Sequence, residues 1–305
     1  MSDKRRRPQD TESENERAGG CRRHHKRRRP HKHLYLVLDD WAEGYSIHRI
    51  DADSFHSDDD DGDSSAARPG HLPEPPALRL EPPIFALMNQ RCGLAFDAET
   101  GALSMGAHAP AQMVCGFTIS IAVGEHPTEG WTWKTLPPPP FRRYAYSYAL
   151  HPNGHTIFVT SSDDQHRMGR ALPFQGQGHL DAELDAWVGL HRNGYICACR
   201  VISPSFQSTA PCFYPDCKMT KDKILAKRRI TATLTYMGAS KFCLVECASA
   251  NKRPIYGTRD GCLIHLTMFG LKYSYNGELQ ITDRSTRSFL VTRHRDCFVS
   301  AAFWM

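Results

Sequence analysis

The sequence predicts an all-β fold, a propeller of about five or six blades, on three observations. Four turn dipeptides, Asn153-Gly154, Asn193-Gly194, Asp260-Gly261 and Asn276-Gly277, punctuate β-prone runs, and each can supply the positive φ of a tight hairpin. An Asp-anchored turn unit occurs at Asp97-Ala98-Glu99-Thr100-Gly101-Ala102-Leu103 and recurs at Asp181-Ala182-Glu183-Leu184-Asp185-Ala186-Trp187. That spacing holds two supersecondary units of roughly 40–45 residues, the period of a propeller blade. Helical periodicity is scarce: Lys218–Arg229 is the only segment that suits a short helix, and its charge suits a surface loop better. Residues 34–305, 272 in all, supply five or six such blades.

Residues 1–33 precede that domain as a basic tail. They hold twelve Lys/Arg against five Asp/Glu, whereas the remainder holds 26 against 28, so the +5 formal charge of the chain is concentrated there. With almost no aliphatic side chains, the tail cannot bury enough apolar surface to offset chain entropy and is expected to be disordered. Order is expected from Leu34–Leu38, which pairs with the alternating Tyr45–Ile50 through a turn at Glu43-Gly44. The stretch 51–83 combines the acidic Asp58–Asp61 and Asp63 with the Pro-rich His71–Pro83 and reads as a mobile loop without a packed strand.

Further strands are expected at Ile84–Met88, Cys92–Phe96, Phe117–Val123, Tyr144–Leu150, Thr156–Thr160 and Trp187–Leu190. The C-terminal part adds Tyr195–Ile202, Thr231–Tyr236, Lys241–Glu246, Leu263–Tyr273 and Glu278–Thr282. Closure of the ring predicts that Leu34–Leu38 lies beside the run around Cys297–Trp304, because pairing the ends removes exposed edges.

Several blocks carry a resemblance. They are His33–Trp41 with Gly44–Ile47, Trp131–Pro137 with Pro139–Phe141, Tyr148–Gly154 with Thr156–Val159, Leu172–Phe174 with Gly176, Leu184–Leu190, Lys241–Glu246 and Ala302–Met305. Together they resemble a grass-expanded plant family, the domain-of-unknown-function family 1668, which is similar to kelch-type propellers. The resemblance implies a kelch-like propeller and a plant origin, and it implies no activity, ligand or catalytic residue. Between Ser162 and Arg170 the chain passes directly from one strand to the next block, shorter than the family pattern, so one blade is expected to be incomplete. Independently, Trp131 at a strand end can cover the gap between blades while the following prolines end the ladder.

Cys197 and Cys199 alternate along a strand, and Cys212 and Cys217 follow within a loop; four thiols in so short a span raise a zinc reading. The i, i+2 spacing fits two small buried side chains better, and Cys243 with Cys247 fits zinc less well still. His24, His25, His31 and His33 lengthen a solvated cationic stretch, and the Asp58–Asp63 loop lacks the Glu at the twelfth position of a calcium-binding loop. No metal, no cofactor and no disulfide are expected. Eleven cysteines at irregular spacing, without a secretory apolar core near the start, favour a reducing compartment, and no window approaches the roughly 20 apolar residues of a membrane span.

The sequence shows neither a G-x-S-x-G elbow, a phosphate-binding Gly-rich loop nor an H-E-x-x-H pair. His151, and His179 beside Asp181, are the acid–base candidates, with no sequence reason to bring them together. No catalytic or cofactor-binding residue is therefore assigned. The functional signal is the pair of basic clusters: Lys4, Arg5, Arg6 and Arg7, then Lys26, Arg27, Arg28 and Arg29, which read as an extended bipartite nuclear import signal. The expected function is a non-enzymatic protein-interaction module, nuclear or nucleocytoplasmic. An import receptor would hold the tail, an unknown protein the domain. The alternatives are an enzyme using a rim or central pocket and a nucleic-acid-associated protein held by its tail.

Overall fold

A computed structural model describes residues 33–40, 44–56, 69–80, 92–96, 100–108, 145–161, 171–201, 216–226, 229–249, 262–291 and 299–304. All belong to the larger of two units, residues 32–305. The strands are β1 (Leu34–Asp40), β2 (Gly44–Ile50), β3 (Gly70–His71), β4 (Leu78–Leu80), β5 (Cys92–Phe96), β6 (Leu103–His108), β7 (Ala145–Leu150), β8 (Ile157–Ser161) and β9 (Gln175–Asp181). There follow β10 (Ala186–Leu190), β11 (Ile196–Arg200), β12 (Cys217–Met219), β13 (Arg229–Gly238), β14 (Lys241–Ser249), β15 (Cys262–Tyr273), β16 (Leu279–Val291) and β17 (Val299–Trp304). A single 3-10 turn, Asp53–His56, is the one helical element among the described residues, so the all-β expectation holds.

Hydrogen bonding arranges these strands as sheets of order β17-β1-β2-β4, β12-β11-β10-β9-β7-β8 and β13-β14-β15-β16-β3, with β5-β6 as a separate ribbon. None of these orders closes on itself. The second Asp-anchored unit is the hairpin connection from β9 to β10; of the first, residues 97–99 lie outside the described residues, and it stands between β5 and β6, which pair antiparallel. The Asn-Gly dipeptides turn β7 into β8, β10 into β11 and β15 into β16; Asp260-Gly261 lies outside the described residues. The expected pairing of the two ends is present, with Leu34 opposite Trp304 and Leu38 opposite Ser300.

A second repeat accompanies the turns. Leu150-His151-Pro152-Asn153-Gly154 and Leu190-His191-Arg192-Asn193-Gly194 build the same loop. In each, the Asn N–H donates to the histidine Nδ1 (3.1 and 3.2 Å) and the Gly N–H to the histidine carbonyl (2.9 Å in both). Both glycines have positive φ, 71° and 91°, which a side chain would resist.

The structure corrects the reading of His71–Pro83. Leu78–Leu80 forms β4 and pairs with β2 through Ile47 and Tyr45, and Gly70–His71 adds to the edge of β16. The prolines at 73, 75 and 76 precede β4, which is an edge strand and needs no donor on its free side. Leu72, Leu80 and Phe55 are buried, and this apolar anchoring outweighs the proline content. The expected strands Ile84–Met88 and Phe117–Val123, the Trp131–Pro140 block and the short passage 162–170 lie outside the described residues.

Sheet interiors meet in two main clusters. Leu34, Leu36 and Leu38 of β1 pack with Cys243, Val245 and Cys247 of β14 and with the alternate positions of β15. On the opposite face of β14, Phe242 and Leu244 pack with Val188 and Ile196 from the neighbouring sheet, so β14 is buried on both sides and contributes to two cores. Its residues 242–248 read as a continuous apolar run broken by Glu246, as expected of a two-faced strand. Glu246 itself is satisfied by accepting the N–H of Ala226 (2.7 Å).

A third cluster centres on Trp187, which is fully buried, donates from Nε1 to the Leu150 carbonyl (2.8 Å) and lies 5.2 Å from the Phe158 ring. Beside it, Phe174 occupies space that only glycines leave. A Cβ on Gly178 would stand 2.2 Å from its Cζ, and one on Gly189 would stand 2.4 Å from its Cγ. Gly178 and Gly189 are thus required by close packing in the middle of strands where glycine is otherwise unfavourable.

Candidate functional site

Four strands, β7, β9, β13 and β17, supply nearly all of the border of a cavity of about 500 Å3, with Leu190 at the end of β10 completing it. Its order is built by specific bonds. β7 and β9 pair in parallel, with Tyr148 opposite Gln177. From β9, His179 Nε2 bonds to the Leu234 carbonyl of β13 (2.9 Å), and since a carbonyl only accepts, the imidazole proton sits on Nε2. From β13, Thr235 Oγ1 donates to the Ala302 carbonyl of β17 (3.0 Å). Each wall is therefore tied to the next by a backbone ladder or a side-chain bond to backbone.

The groups on these walls are amides, hydroxyls and a guanidinium. Gln175 and Gln177 come from β9, Arg229 and Thr233 from β13, and Tyr148, whose hydroxyl burial holds in its protonated form, from β7. Ile230 and Phe303 also line the cavity, and both leave much of their apolar surface in solvent. The Oγ1 atoms of Thr231 and Thr233 are buried without a hydrogen-bond partner among the described residues. A buried orphan hydroxyl costs roughly 1–3 kcal/mol, so a native fold that keeps one on a cavity wall calls for an account.

The strands are held in place by a buried anchor. Asp181, the last residue of β9, is fully buried, and its Oδ1 accepts the Leu184 N–H (2.8 Å) and the Ser240 hydroxyl (2.9 Å). Its Oδ2 accepts the Ser240 N–H (3.0 Å). Burial, then the Asp181 charge, pushes the Tyr236 hydroxyl up to about 12, so it stays a donor. Ala239 and Ser240, the two central residues between β13 and β14, have φ of 48° and 52°. A two-residue hairpin of the primed type demands this, yet Ala-Ser is not the Asn-Gly that adopts it freely. Asp181 holds the strained turn from the neighbouring hairpin.

The sequence candidates find separate partners. His151 Nδ1 accepts from Asn153, His179 donates to Leu234, and Asp181 is engaged with Leu184 and Ser240. Burial lowers the His179 pKa, which its backbone bond only partly offsets. Cys197 and Cys199 are buried on β11, with Cys217 opposite Cys199 on β12; Cys243 and Cys247 are buried on β14. Cys197, Cys199, Cys217 and Cys243 are free thiols. Among the described residues, no group of His, Cys, Asp and Glu is placed to hold a metal. Cys212, the Asp58–Asp63 loop, His24, His25, His31 and both basic clusters, from Lys4 to Arg29, lie outside the described residues.

Sequence reasoning missed the cavity because its walls carry no motif. Gln175-Gly176-Gln177-Gly178 lacks β-branched residues, and the threonines of β13 read only as strand formers. The available signal was the alternation Thr231, Thr233, Thr235 against Ala232, Leu234, Tyr236, which gives β13 one hydroxyl face and one apolar face.

The chain belongs to the family described as "Protein of unknown function (DUF1668)", which it matches over residues 31–126 and 118–289. The two spans together take in the cavity walls except β17. No curated protein and no solved structure matches it.

Proposed function

We propose that this chain is a non-enzymatic binding module: a kelch-like propeller whose inner strands are β7, β9, β13 and β17 and which takes a segment of a partner protein at the cavity they border. The observation that carries this reading is the buried, unpartnered Thr233 hydroxyl on a wall that also offers two glutamine amides and the exposed side chains of Ile230 and Phe303. Amide and hydroxyl groups keep their charge state near neutral pH, which suits recognition of a peptide's backbone and polar side chains, while Ile230 and Phe303 offer apolar contact at the same place. Affinity purification of the intact chain, repeated with Gln177→Trp, tests it. A partner recovered with the original chain should fall at least about tenfold with the variant, as expected for a filled pocket, while the unfolding midpoint stays unchanged. Equal recovery with a folded variant overturns the reading.

The tail completes the proposal. Lys4–Arg7 and Lys26–Arg29 serve as an address for an import receptor, giving the protein a nuclear or nucleocytoplasmic location. A fluorescent fusion too large for passive entry should accumulate in the nucleus and lose that accumulation when residues 1–33 are removed, with its melting temperature unchanged. Retained accumulation refutes the address. Nuclear loss accompanied by a steep salt-dependent affinity for nucleic acid, abolished with the tail, would replace it with direct phosphate contact.

A further inference from the structure

The thiols of β11 and β12 are arranged for chemistry that a structural role does not need. Cys199 lies opposite Cys217, and Cys197 lies opposite Met219. The bonds Arg200 N–H to Asp216 carbonyl (3.1 Å) and Thr220 N–H to Ile196 carbonyl (2.9 Å) flank these pairs, which makes both of them non-hydrogen-bonded positions of the antiparallel ladder. At such positions facing Cα atoms stand about 4.5 Å apart, within the roughly 4.4–6.8 Å that a disulfide spans. Cys197 and Cys199 point to one face of β11, and Cys217 packs against them in the Trp187 cluster. Cys197 and Cys199 are fully buried, while Cys217 sits half-buried on β12, the outer strand of its sheet.

The thiols are also chemically unequal. The neighbouring Cys197 thiol lowers the Cys217 pKa against the opposing effects of burial and the Asp216 charge. The interaction with Cys217, with burial, raises Cys197 well above the usual thiol range, and burial pushes Cys199 up to about 12. In the structure the Cys197 S–H donates to the Gly189 carbonyl at 3.4 Å. Once Cys217 is ionised, its thiolate is the stronger acceptor for that single proton.

We propose that Cys217 is a peroxide-sensitive thiol that closes onto Cys199 as a reversible cross-strand disulfide, with Cys197 as its positioning donor. Hydrogen peroxide is the oxidant. The Cys217 thiolate attacks one peroxide oxygen, the O–O bond breaks, and hydroxide leaves to take a proton from solvent, which oxidises the sulfur by two electrons to a sulfenic acid. The Cys199 sulfur then attacks the Cys217 sulfur, the S–O bond breaks, and the Cys199 proton leaves with the hydroxide as water. Two thiols and one peroxide become one disulfide and two waters. A dithiol reductant reverses the step by exchange.

The intact chain, treated with hydrogen peroxide, then alkylated and digested with trypsin under non-reducing conditions, gives the test. Peptides 193–200 and 201–218 should appear joined with the loss of two hydrogens, and separate again after dithiothreitol. The link should persist in Cys212→Ser, persist but form several-fold more slowly in Cys197→Ala, and vanish in Cys199→Ser and Cys217→Ser. Without any substitution, a brief N-ethylmaleimide pulse should label Cys217 at least about tenfold faster than Cys199 and prevent the link. Joining through Cys197 or Cys212, oxidation of Cys217 without joining, or equal labelling of the two thiols overturns the proposal.

Discussion

Asp181→Ala should lower the stability of the folded chain by about 3–5 kcal/mol, the cost of stripping buried donors of their charged acceptor. The substitution leaves the N–H groups of Leu184 and Ser240 and the hydroxyl of Ser240 without the carboxylate that now accepts all three. It also frees the strained Ala239-Ser240 turn, so two hairpins from neighbouring sheets loosen together. Urea unfolding followed by tryptophan fluorescence measures the loss, and hydrogen exchange should quicken at residues 182–186 and at 238–241 alike. Glu183→Gln, which touches only the Ser240 hydroxyl at 3.1 Å from an exposed position, should cost under about 1 kcal/mol. A loss no larger for Asp181→Ala than for Glu183→Gln would show that the anchor is not structural.

Trp187→Ala should cost a similar amount, about 3–5 kcal/mol, through a different cause. The indole is fully buried and joins the β7–β8 hairpin to the meander of β9 to β12, by its bond to the Leu150 carbonyl and its contact with Phe158. Truncation opens a cavity and orphans that carbonyl. Trp187→Phe restores most of the apolar area but not the donor, so about 1–2 kcal/mol should remain lost. Guanidinium unfolding curves for the two variants separate packing from hydrogen bonding, and a Trp187→Phe variant as stable as the parent chain would show that the indole N–H contributes nothing.

What the sequence displayed follows from where the physics is local. Asn153-Gly154, Asn193-Gly194 and Asn276-Gly277 mark hairpins because positive φ is a property of the residue itself. β14 and β15 were legible because strands that face two cores carry apolar residues on both faces. β16 runs from Leu279 to Val291, yet only Glu278–Thr282 stood out, since Asp283, Arg284 and Ser285 are polar and the pairing with β15 that makes them a strand is not written in their own composition. β9 was invisible for a related reason: Gly178 serves Phe174, four residues earlier in sequence but packed against it in space. The cavity was illegible because its walls come from positions 148 to 303 and only the assembled sheets bring them together. Gly238-Ala239-Ser240 hid a primed turn because its support comes from Asp181, in another hairpin.

The pairing of Leu34–Asp39 with Val299–Trp304 sets a clock on synthesis. At translation speeds of about 5–20 residues per second, the roughly 260 residues between β1 and β17 take on the order of 13–50 s to emerge. Throughout that interval one edge of β1 remains open, and for most of it Leu34, Leu36 and Leu38 lack the β14 and β15 side chains that cover them later. A nascent chain in this condition is a substrate for a chaperone that holds extended apolar segments. Expression at low temperature or with such a holdase should raise the soluble yield of this protein, whose β1 must wait for β17.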